Sequence, residues 1–191
     1  MKAPDSRGNP MYEKELESKQ AALRKTAAQT AEDFATAQTL FKAYAESLGI
    51  DLPSQSFEFE LETLPSQYGS PHGALLLAYG IDPKIALGCV AVRPLGKKGH
   101  EAAQPQNEVQ SCCEMKRLYV CPEARGMGLG KALLGAIIQR AKELGYREMR
   151  LDTLPSMTGA RQLYKCAGFL EIQAYYETPL EGTLFLGLDL S

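Results

Sequence analysis

Residues 125–131 read Arg-Gly-Met-Gly-Leu-Gly-Lys, and no other stretch restricts the fold as strongly. An apolar, strand-like run, Leu118-Tyr119-Val120, precedes it, and an amphipathic segment over residues 132–144 follows at once. Glycine accepts unusual dihedrals and lets another molecule come close to the backbone. The first N–H groups of a helix have no partner within the helix, and its dipole favours anions there. A strand that runs through bare glycines into a helix is therefore a place for a phosphate or diphosphate group.

Spacing separates the loops that do this. A P-loop needs a glycine, four residues, then Gly-Lys-Ser/Thr. Here Ala132 follows Lys131, and Arg125 stands where the first glycine belongs. The dinucleotide pattern Gly-x-Gly-x-x-Gly fails because the third glycine comes one residue early, at Gly126, Gly128 and Gly130. That pattern also belongs to the first strand of its fold, whereas this loop lies past mid-chain. Arg125, Gly128 and Gly130 fit a third pattern, Arg/Gln-x-x-Gly-x-Gly/Ala. This resembles the acetyl-CoA loop of the GNAT superfamily of N-acetyltransferases.

The surrounding sequence extends the resemblance. Residues 112–120 (Cys-Cys-Glu-Met-Lys-Arg-Leu-Tyr-Val) are similar to the strand before that loop, and residues 146–152 (Tyr-Arg-Glu-Met-Arg-Leu-Asp) to the parallel strand after it. Residues 160–169 (Ala-Arg-Gln-Leu-Tyr-Lys-Cys-Ala-Gly-Phe) are similar to the following helix, with its tyrosine, and the turn into a final pair of strands. The likeness implies an α/β (α+β) fold: a mixed, mostly antiparallel sheet, a central parallel pair splayed around acyl-CoA, and helices on both faces. It implies an acyltransferase domain over residues 21–191, a tail over 1–20 and an exposed loop over 97–110.

By position, the amides of Gly126, Gly128, Gly130 and Lys131 would hold the diphosphate of acetyl-CoA, with charge from Arg125 and Lys131. The backbone of Leu118 and Val120 would pair the pantetheine amides like an added strand; Tyr119 and Met127 belong to the same run of contacts. An amine would attack the thioester and the thiolate would leave. Tyr164 matches the general-acid tyrosine. Glu114, on the strand facing the thioester, is the first candidate for the base; Glu62, Asp152 and Tyr119 are weaker ones. Strand alternation puts Glu114, Lys116 and Leu118 on one face. Tyr68, His72 and Tyr175-Tyr176 are expected near the acceptor. The acceptor itself, a small-molecule or peptide amine, is not specified, and a homodimer stays open. A non-catalytic acyl-CoA sensor is the alternative function. The chain departs from the common form at the 97–110 loop and at Leu154-Pro155-Ser156-Met157, which lacks an asparagine many relatives carry.

Composition fits this reading. The 191 residues suit one domain, and 45% apolar content supports a core. A formal net charge of −2 gives no reason to expect nucleic acid or an anionic membrane. No apolar run reaches the roughly 18 residues of a membrane span, and residues 1–20 lack the apolar centre of a signal peptide. Five cysteines without a Cys-x-x-Cys pair read as reduced thiols in a cytoplasmic protein, and two histidines argue against a histidine metal site. Apolar spacing at three and four predicts a helix over residues 34–48, capped by Thr30 and stopped at Gly49. A shorter element is expected between Pro53 and Pro65. Strands are expected at 21–26, 73–79, 85–92 and 184–188, with Asp82-Pro83 turning between the second and third.

Overall fold

The computed structural model describes residues 24–49, 54–96 and 111–191. The expected tail over 1–20 and loop over 97–110 lie outside the described residues. In chain order come β1 (Arg24–Ala27), α1 (Ala31–Leu48), α2 (Ser54–Glu62), α3 (Leu64–Tyr68), β2 (Ala74–Tyr79), β3 (Ala86–Pro94) and β4 (Cys112–Val120). A 3-10 turn (Pro122–Ala124), α4 (Leu129–Glu143), β5 (Glu148–Thr153), α5 (Thr158–Cys166), β6 (Leu170–Glu171) and β7 (Leu184–Asp189) follow. The described strands form one sheet in the order β1-β2-β3-β4-β5-β7-β6, and β4–β5 is its parallel pair.

Local chemistry sets the element ends. Thr30 Oγ1 accepts from the Asp33 amide at 3.1 Å while Asp33 Oδ2 accepts from the Thr30 amide at 3.0 Å, a closed capping box on α1. Gly49 ends that helix in the left-handed region, with φ 62°. The short element expected between Pro53 and Pro65 is α2, and Pro65 itself opens the helix after it. It sits in the first turn of α3, where its missing N–H costs no helical bond.

The sheet buries both faces. On one, Ala37, Leu40 and Phe41 of α1 cover Leu75, Leu77, Cys89 and Ala91. On the other, Leu129, Leu133 and Ile137 of α4 cover Leu76, Val90, Met115 and Met149. Among the described residues, no helix is long and apolar enough to cross a membrane.

Two irregularities in β4 shape everything that follows. Cys89 of β3 pairs Tyr119, yet the next pair is Ala91 with Lys116, so β4 carries one extra residue. Arg117 sits there with φ 60°, the one described non-glycine residue with positive φ, as in a β-bulge. The bulge reverses the side-chain alternation. Met115 faces α4, but so do Leu118 and Val120, while Tyr119 faces α1. The expected sharing of one face by Glu114, Lys116 and Leu118 is therefore corrected: two residues of β4 oppose one of β3, and Leu118 turns away. The second irregularity is a parting of strands. β4 and β5 pair at Cys112–Glu148, Cys113–Met149 and Glu114–Arg150, and no further. Met149 is still paired, and the gap opens from Met115 and Leu151 onward.

Candidate active site

A cleft of about 730 Å³ enters between the parted strands. Met115, Lys116 and Leu118 of β4, Leu151 and Asp152 of β5 and Tyr164 of α5 form its inner part. Tyr44, Phe57, Glu60 and residues 176–180 also line it.

Next to the cleft, β4 leads into the glycine loop. Gly126 has φ 81°, and Gly128 has φ 77° as N-cap of α4 with no side-chain cap. L-residues rarely hold that conformation. A Cβ on Gly126 would meet nothing within 4 Å, so the loop faces open space, whereas one on Gly130 would come within 3.2 Å of Leu163. Arg125 and Lys131 are exposed, and Arg125 Nε donates to the Val120 carbonyl at 3.2 Å. Uncapped amides at a helix start, two nearby cations and an open strand edge at Leu118 suit a diphosphate followed by an extended amide chain. Tyr119 points the other way and packs on Tyr44, ring centroids 6.0 Å apart. Met127 is half-buried against the α4 core.

Tyr164 is 4% exposed and lies against Phe169. Its phenol makes no hydrogen bond to a described residue. Yet no sealed side-chain N or O among the described residues lacks a partner, so this oxygen opens on the cleft. Burial, then the phenol of Tyr44 and the carboxylate of Asp152, push its pKa well above the ordinary tyrosine value, and it holds its proton at neutral pH.

Beneath the cleft lies a charged network. Glu114 is 0% exposed and is not part of the cleft lining. Arg93 Nε and Nη2 donate to its Oε2 at 3.0 and 2.9 Å, Tyr175 donates to Oε1 at 3.0 Å, and Lys116 Nζ is 3.7 Å from Oε1. Lys116 also donates to Asp152 Oδ1 at 3.2 Å. Burial would lower the Lys116 pKa, but the Glu114 and Asp152 carboxylates outweigh it and keep the amine cationic. Asp152 itself lines the cleft and is hydrogen-bonded to Tyr176. A second pair joins α2 to the bulge: Arg117 binds Glu60 through Nε and Nη2, Tyr68 donates to Glu60 at 2.6 Å, and the Phe57 ring covers the guanidinium at 4.9 Å.

Of the residues expected at the acceptor side, Tyr176 lines the cleft. Tyr175 turns inward to Glu114 and Tyr68 is buried on Glu60. His72 is exposed and off the cleft, as is Glu62, one of the weaker candidates for the base. Arg93, Lys116, Arg117 and Glu60 were not expected there. The signal of the three cations was visible, since charged residues inside otherwise apolar strands need buried partners; Glu60, on α2, carried none.

A family model described as the acetyltransferase (GNAT) family matches residues 26–169. The chain belongs to that family. It is an acyltransferase that uses acetyl-CoA as donor. An uncharacterised N-acetyltransferase of Schizosaccharomyces pombe is 41% identical over 152 residues, covering 80% of this chain and 85% of its own. One of Dictyostelium discoideum is 32% identical, covering 79% and 92%. Among solved structures, a GNAT acetyltransferase of Staphylococcus aureus superposes with a TM-score of 0.68 at 19% identity, covering 89% of this chain and 100% of that one. A Salmonella typhimurium relative solved with acetyl-CoA gives 0.58 at 17% identity, covering 89% and 95%; at such identity the likeness shows the fold.

Proposed function

We propose that the enzyme moves the acetyl group of acetyl-CoA directly to a primary amine of a small molecule or peptide. One observation carries this: the Tyr164 phenol, protonated and without a hydrogen-bond partner among the described residues, opens on the gap between β4 and β5. The loop amides of residues 126–131 and the charges of Arg125 and Lys131 hold the diphosphate. The edge of β4 that β5 leaves unpaired at Leu118 aligns the pantetheine arm, and Tyr164 gives its proton to the departing sulfur. Side-by-side binding of donor and acceptor supplies much of the rate.

The attacking nitrogen must lose a proton. Glu114 has no face on the cleft, so its role here is to fix Arg93, Lys116 and Tyr175. Of the carboxylates on the cleft lining, Asp152 stands on β5 where the strands part and close enough to act on the Tyr164 phenol, and it takes that proton. All five cysteines are free, which supports a reducing, cytoplasmic setting. Residues 21–191 make up the catalytic domain. The test is acetyl-CoA calorimetry paired with thiol release on an amine panel. Binding together with amine-dependent release is expected; binding without release from any amine would favour a sensor.

A further inference from the structure

We propose that the acceptor is an amine with an aryl or alkyl body and no carboxylate or phosphate of its own. This rests on reading the cleft as the site of N-acetyl transfer.

The ion pairs carry the argument. Among the described residues, three cations line the cleft, Arg93, Lys116 and Arg117, and each is matched inside the protein. Arg93 is engaged by Glu114 and spends Nη1 on Gln67 at 2.6 Å. Lys116 is held by Asp152 and Glu114. Arg117 is held by Glu60 under the Phe57 ring. An acceptor with its own anion must take one of these cations and leave a buried carboxylate uncompensated.

The mouth adds the apolar requirement. Leu48, Phe59, Pro179 and Leu180 are all on the cleft lining. Phe59 is 62% exposed, so it does little for the core. An aromatic left bare at a cleft mouth marks a surface for an apolar body.

The experiment measures initial rates of CoA release with 2-phenylethylamine, phenylalanine and kanamycin. The first two differ only by a carboxylate. The amine 2-phenylethylamine is expected to show a kcat/KM at least tenfold above each of the others. Phe59→Ser is expected to weaken the use of that amine, seen as a several-fold rise in its Michaelis constant, while acetyl-CoA affinity by calorimetry and the melting temperature stay at the wild-type values. Equal or faster turnover of phenylalanine or kanamycin overturns the proposal, as does an unchanged Michaelis constant in Phe59→Ser. If acetyl-CoA binds and none of the three amines reacts, the acceptor assignment falls and the cofactor site stands. If acetyl-CoA does not bind, both readings fall.

Discussion

Replacing Tyr164 by phenylalanine removes one oxygen whose only proposed partner is the leaving sulfur. The phenol makes no hydrogen bond to a described residue, so the roughly 1 kcal/mol cost of breaking a buried bond does not arise. Stability should hold within about 0.5 kcal/mol, a shift of about 2 °C or less in Tm for a chain of this size. General acids contribute about 10²- to 10⁴-fold. The leaving thiol resembles cysteine, with a pKa of about 8.5, and departs fairly well unaided. The low end applies: about a hundredfold loss in the chemical step, or about 2.7 kcal/mol. Since burial holds the Tyr164 pKa above the ordinary tyrosine value of 10.0, the phenol stays protonated through neutral pH. The wild-type to mutant ratio should then be flat from about pH 6 to 9 and fall only where tyrosines ionise. Single-turnover thiol release across that range reads the ratio, and calorimetry checks that acetyl-CoA affinity is kept. An unchanged rate, or a ratio that collapses by about pH 8, refutes the acid role.

Gly128→Glu places a side chain at φ 77°, where an L-residue costs about 1–2 kcal/mol, and sets a carboxylate against the diphosphate. Acetyl-CoA affinity should drop at least a hundredfold, and an unchanged calorimetric titration would remove the loop from the site. Arg117→Ala strands Glu60 and should cost about 3–5 kcal/mol, seen as a Tm lower by roughly 6–20 °C; a Tm within about 2 °C of wild type would show the pair to be unimportant. Burial raises the Glu60 pKa, but Arg117 outweighs it and leaves it below 4.5. The pair's stabilisation is thus present above that value and lost as pH falls through the folded one, so wild type should lose its advantage over Glu60→Gln in acid denaturation; a constant difference down to about pH 3 would contradict this. Asp152→Asn should show a rate deficit that shrinks at high pH, whereas Glu114→Gln should chiefly lower Tm. The reverse pattern would return the base role to Glu114.

The glycine loop was legible because its constraint is local: a left-handed N-cap at Gly128 admits few other residues. The ends of α1 were legible for the same reason, through Thr30 and Gly49. The bulge at Arg117 was not, since arginine carries no signature of positive φ and a period of two runs smoothly through it. That single residue decides that Leu118 leaves the face of Glu114. Glu114 itself looked available because its partners Arg93 and Tyr175 lie 21 and 61 residues away, and only the folded sheet brings them to it. Tyr68 failed as an acceptor residue for the same reason, its phenol being spent on Glu60.

The most direct test of the account is a crystal structure of the enzyme with acetyl-CoA, read at the thioester sulfur. The account predicts the sulfur between the parted ends of β4 and β5, within hydrogen-bond reach of the Tyr164 phenol, and the diphosphate on the amides of residues 126–131. A cofactor seated elsewhere, or a sulfur facing away from Tyr164, would contradict it.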